Sequence, residues 1–125
     1  MGLIRWFTNN ECDTDVPTHV DVLPLALPVG IDAAPGRIAE VVAGLRGWRV
    51  EVADPDGRAM HLTRRTRVLR LEDDVALRVE PTPNGVRVHA HSKSRIGAGD
   101  LGQNRRNVKE LFRALRHTMG STPRR

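Results

Sequence analysis

Between residues 92 and 106 the chain reads Ser-Lys-Ser-Arg-Ile-Gly-Ala-Gly-Asp-Leu-Gly-Gln-Asn-Arg-Arg, a glycine-punctuated segment flanked by arginines. Glycine permits backbone angles closed to other residues, and Asp100 stands where a helix would begin, so Gly97, Gly99 and Gly102 read as a fixed turn. A guanidinium at Arg95, beside the free N–H groups of a helix start, can clamp a carboxylate or a phosphate. Ser94, Arg95, Gly97, Asp100, Gly102, Asn104 and Arg105 are therefore the candidate ligand-binding residues. In the competing, structural role Asp100 caps the helix and Arg95 pairs with Asp73 or Asp74 on a neighbouring strand, holding the loop shut. Asp73 and Asp74 are site-supporting in either case. Because successive strand residues point to opposite faces, at most one of the two shares the inner face, which weakens a paired-carboxylate mechanism.

Other constellations are poorer. His89 and His91 lie two apart on an expected strand, the spacing at which a strand presents two imidazoles to one metal, and His61 could join them. No cysteine or fixed carboxylate completes that set, and Arg87 and Lys93 project from the same face, so no metal and no cofactor is expected. Cys12 lies among Glu11, Asp13 and Asp15, which raise rather than lower a thiol's pKa. Ser92 and Ser94 point away from Lys93, which argues against a hydrolytic dyad. No catalytic residue is assigned.

The 125 residues bound one core, and an aromatic content of 3% with no Tyr leaves packing to Val, Leu, Ile and Ala. So few rings disfavour a stacking platform for nucleic acid. The net charge of +5 is unevenly spread: three basic residues against six acidic through Gly47, seven of each to Gly85, then ten against two. A basic last third suits an anionic small molecule or an acidic protein surface, although a solvated helix face with a basic tail has the same signature. The apolar opening Met1–Phe7 is a weak membrane anchor. One cysteine excludes an internal disulfide, and without a recognisable signal peptide the expected compartment is the cytoplasm.

These residues need a scaffold, and the hydrophobic periods supply one. Residues 1–22 read as an irregular arm, 23–119 as a single domain and 120–125 as a flexible basic tail. Leu23–Val29 alternates but holds two prolines, so it suits an edge strand. Asp32 reads as an N-cap and Pro35 as a first-turn residue of a helix whose Ile38, Val41, Val42 and Leu45 form a stripe ended by Gly47. Trp48, Val50 and Val52 mark a strand closed by the turn Asp54-Pro55-Asp56-Gly57. Met60 and Leu62 begin a second strand, with a parity break near residues 64–66. Val75, Leu77 and Val79 give a third and Val86, Val88 and Ala90 a fourth, across a turn at 81–85. Val108, Leu111, Phe112, Leu115 and Met119 stripe a last helix, with Arg105, Arg106, Lys109, Arg113 and Arg116 among its remaining positions. The order β-α-β-β-β-β-α predicts a two-layer α+β fold, an antiparallel sheet of four to five strands with both helices on one face; TATA-binding-protein-like folds share that order. The sheet's other face would carry Arg49, Glu51, Arg78, Glu80, Arg87, His89, His91 and Lys93.

Leu71-Glu72-Asp73-Asp74-Val75, followed by Val86 through Ser92-Lys93-Ser94-Arg95 to Asn104-Arg105-Arg106, resembles the DUF1499 family of unknown function. The likeness, an Asp-Asp strand start and then Ser-Arg-x-Gly-x-x-Asp-x-Gly-x-Asn-Arg before a closing helix, runs from about Leu25 to Arg116. Family members carry an early Asn-Cys pair and sometimes a membrane anchor; here Asn10-Glu11-Cys12 splits the pair. The resemblance implies a domain and no reaction. The functional expectation is a small binding or interaction module using the glycine-rich strand-to-helix segment. The alternative is a small enzyme with a polar cleft around Asp73, Asp74, Arg95 and Asp100. Oligomeric state is left open.

Overall fold

The computed structural model describes residues 11–13 (backbone only), 23–65, 72–94 (backbone only at 94) and 103–120. The strands are β1 Glu11–Asp13, β2 Leu25–Leu27, β3 Trp48–Ala53, β4 Ala59–Arg65, β5 Glu72–Thr82 and β6 Gly85–Ser94, and alternation of inward apolar with outward polar residues is plainest in β5 and β6. The helical stripes make α1 Ala34–Ala43 and α2 Gln103–Met119. All pairings are antiparallel, in the order β1-β6-β5-β4-β3. β2 pairs the other end of β6's outer edge, Leu25 opposite Val88 and Leu27 opposite Val86. Together β1 and β2 cover an edge that would otherwise offer unpaired backbone groups.

The inner face is the expected one. Met60, Leu62, Val75, Leu77, Val79, Val86, Val88 and Ala90 are buried in one cluster with Ile38 and Val42 of α1 and Val108, Leu111, Phe112, Leu115 and Met119 of α2. Both helices thus share one side of the sheet, and α1 packs on α2. The α+β fold and element order follow the sequence.

Four local readings are corrected. The stretch 1–22 is not wholly irregular, since Glu11–Asp13 joins the sheet; a strand of three residues is too short to give a periodic signal. Asp32 does not cap α1: Ala33 is the N-cap, with no side-chain bond, and Ala34 N–H donates to Gly30 O at 2.9 Å. The helix ends at Ala43 with Gly44 as C-cap, short of Gly47, because Leu45 is reached after the last turn. Val52 is 61% exposed instead of inward, because a bulge between Val50 and Val52 flips the parity of β3. The parity break expected near residues 64–66 turns on residues 66–71, which, like the tail 121–125, lie outside the described residues.

The 81–85 turn closes on Gly85, whose φ of +152° few side chains adopt. A Cβ there would also collide with the carbonyl oxygen of Leu27 in β2. Gly85→Ala should therefore strain the turn and displace β2 together, lowering stability by about 2 kcal/mol or more in urea denaturation.

Candidate functional site

Strand parity carries polar residues onto the inner face at one end of the sheet. Val75, Leu77 and Val79 share their face with Asp73, and Val86, Val88 and Ala90 share theirs with Ser92; both polar residues are buried, at 3% and 0% exposure. α2 lies over them and supplies Asn104 and Asn107, each 1% exposed. The Asn107 amide donates to Asp73 Oδ2 at 2.7 Å and, more weakly, to Ser92 Oγ at 3.3 Å. Its Oδ1 accepts from Gln103 Nε2 at 2.7 Å. Ser92 Oγ donates to Asn104 Oδ1 at 2.6 Å. Among the described residues no buried side-chain nitrogen or oxygen lacks a partner, so this network is closed. Ser92 donates its proton to an amide oxygen, which is no base, and the arrangement gives no activated nucleophile.

The neighbouring carboxyl faces the other way. Asp74 lies on the exposed side of the sheet, where His61 Nε2 sits 2.7 Å from its Oδ1. Asp73 and Asp74 therefore line no common cleft, and Asp73's described partner is Asn107, not a guanidinium. Asn104, expected at a ligand site, is committed to Ser92 instead. Arg105 is half-buried on α2 and makes interactions of its own. Arg95, Gly97, Asp100 and Gly102 lie outside the described residues, as does the side chain of Ser94.

Beside this network α2 turns a different stripe outward. Gln103, Arg106, Lys109, Glu110 and Arg113 recur at three- and four-residue spacing and, with Arg64 from the end of β4, line an open cleft of about 510 Å³. Arg64 donates from Nε to Glu110 Oε1 at 2.9 Å, and Trp48 Nε1 donates to the same oxygen at 2.9 Å. The Arg64 guanidinium carbon lies 5.9 Å from the centre of the Trp48 ring, and Nη1 donates to the carbonyl of Arg65. Gly47, at φ +89°, makes room for this: a Cβ there would collide with Arg64 Nη1 and stand 2.9 Å from Arg65 O. Arg106 Nη2 donates to Gln103 Oε1 at 3.1 Å. Arg64, Glu110 and Asn107 escaped the reading of the sequence. The only signal for this cleft was the basic stripe of α2, which reads equally well as a solvated face.

The opposite, exposed face of the sheet is a lattice of ion pairs. Arg49 bonds Glu51 (Nε to Oε2, 2.6 Å) and lies 4.0 Å from Glu72, while Thr63 Oγ1 donates to Glu51 Oε2 at 3.0 Å. His89 Nε2 meets Glu80 Oε1 at 2.7 Å, with Arg87 at 3.8 Å from the same oxygen. The hydrogen bond from Arg49, helped by Thr63, holds the Glu51 carboxyl below its ordinary 4.5. That from His89 does the same for Glu80. Among the described residues no group of three or more His, Cys, Asp or Glu side chains could hold a metal ion. No described helix is long and apolar enough to cross a membrane.

A six-stranded antiparallel sheet, two helices on one face, a closed polar network and a basic cleft on the last helix define a small two-layer α+β protein. The chain belongs to the family described as a protein of unknown function, DUF1499, whose model matches residues 8–115. No curated protein and no solved structure matches it, so the TATA-binding-protein-like label gains no support from a neighbour.

Two outcomes follow. Asn107→Ala leaves the buried Asp73 carboxyl without its amide donor and should cost about 2–3 kcal/mol in urea unfolding. Glu51 and Glu80 titrate lower in the folded than in the unfolded chain, so their stabilising contribution is complete above pH 4.5 and is lost as pH falls below it through the depressed values. The double variant Glu51→Gln, Glu80→Gln should accordingly be less stable than the wild type at pH 6, with the gap in unfolding midpoints narrowing as the pH is lowered below 4.5.

Proposed function

We propose that this chain is a small, non-enzymatic binding module whose α2 cleft takes a small molecule carrying more than one negative charge. The observation that carries the reading is the convergence of four cationic side chains, Arg64, Arg106, Lys109 and Arg113, around the single carboxylate of Glu110. A cleft of about 510 Å³ is of the size that holds a small metabolite, and cations gathered on one wall raise the local concentration of anions. The glycine-rich segment leads directly into α2, so Ser94, Arg95, Gly97, Asp100, Gly102 and Arg105 are proposed as further contributors at the same helix end.

An enzymatic reading has less in its favour. Its polar cleft required Asp73 and Asp74 together, and those carboxyls point to opposite faces, one sealed under α2.

The test is calorimetric titration with citrate and with inorganic pyrophosphate at low salt. Binding should weaken steeply as salt rises, and the double variant Lys109→Glu, Arg113→Glu should lose at least about tenfold in affinity. Arg113 is exposed and Lys109 half-buried, and neither belongs to the core stripe of α2, so the fold should survive. Arg95→Ala measures the contribution of the segment before the helix. Absence of binding by either anion, or binding undiminished in the double variant, would refute the proposal.

A further inference from the structure

The carboxylate of Glu110 sits at the head of the cleft in a position made for an anion. Arg64 is fixed on several sides: Nη1 is engaged by the carbonyl of Arg65, the guanidinium lies against the Trp48 ring, and the backbone of Gly47 approaches too closely for any side chain. The Arg64 side chain is only 19% exposed, whereas that of Glu110 is 41% exposed. The receptor is thus the sheltered partner and its occupant the accessible one.

The fit of that occupant is incomplete. A guanidinium and a carboxylate pair best as two parallel bonds, two nitrogens to two oxygens. Here Glu110 Oε1 takes both donors, Arg64 Nε and Trp48 Nε1. Among the described residues Arg64 Nη2 and Glu110 Oε2 form no hydrogen bond. Glu110 is tethered to α2, and its reach from the helix decides this one-oxygen geometry. A free carboxylate carries no such tether and can present both oxygens to the fork.

We infer that Glu110 is a displaceable internal ligand, and that Arg64 with the Trp48 indole N–H forms the primary carboxylate-binding position of the cleft. An incoming polycarboxylate places one carboxylate where Glu110 now lies, while Arg106, Lys109 and Arg113 meet its remaining charge. Glu110 then swings toward water, a short movement for a side chain already partly exposed. This inference rests on the anion-binding reading of the cleft and adds which residues select the ligand and what must leave.

Two measurements on the full chain test it. In two-dimensional NMR the chain gives two indole N–H signals, from Trp6 and Trp48, and the Trp48 signal is the one moved by Glu110→Gln. Saturating citrate should move that signal in the wild type; a stationary Trp48 signal despite calorimetric binding would overturn the inference, because charge attraction alone would leave the indole bond intact. In calorimetry, Glu110→Gln should bind citrate about tenfold more tightly than the wild type, and Glu110→Ala should bind acetate at concentrations where the wild type does not. Equal citrate affinity for wild type and Glu110→Gln would likewise overturn it. Should the double variant Lys109→Glu, Arg113→Glu weaken citrate while the Glu110 variants change nothing, the cleft reading stands and the displacement falls. If citrate binds none of these proteins, both fall.

Discussion

The structure depends on the requirement that polar groups sealed between sheet and helix be satisfied by one another. Asp73, Ser92, Asn104 and Asn107 lie beyond the reach of water, and each hydrogen-bonding group there needs a partner of the right kind. Apolar contacts alone would let α2 slide or rotate with modest loss, since Val108, Leu111 and Leu115 present similar shapes. The amide of Asn107, bridging Asp73, Ser92 and Gln103, tolerates no such latitude. It fixes both the rotation of α2 and its position along β5 and β6.

That fixed rotation has a consequence on the other side of the helix. With residues 104, 107, 108, 111 and 115 turned inward, helical spacing leaves 106, 109, 110 and 113 together on the flank beside β3 and β4. There Glu110 meets Arg64 and the edge-strand residue Trp48, linking α2 to the far side of the sheet. The glycine at 47 belongs to the same arrangement, since it yields the space through which the guanidinium passes. A structural lock on one face of the helix thus positions a group of charges on another.

The exposed face of the sheet obeys a different constraint. Neighbouring strands bring Arg49, Thr63, Asp74 and Lys93 into one row and Glu80 beside Arg87 in another, so cross-strand partners of opposite charge recur. Such pairs on an open surface contribute little each, and their service is to keep a broad sheet face polar and unattractive to other strands.

Much of this was legible in the residues themselves. Alternation in β5 and β6 and the stripe of α2 specify which side chains turn inward, because the two-residue and 3.6-residue periods are properties of the backbone. Parity also dictates that Asp73 and Asp74 part company. The family could be read from residues 71–106, since the Asp-Asp strand start and the glycine-rich segment stand in the order its pattern requires. What the chain by itself determined, then, is the layering of the fold and the identity of its core. Only the tertiary structure decided that Asp73 is held by Asn107, that Asn104 turns to Ser92, that a bulge exposes Val52, and that Arg64 meets Glu110 across 46 residues. Local periodicity states which face a residue occupies. The partner on that face comes from an element distant in sequence, and packing alone brings the two within bonding distance.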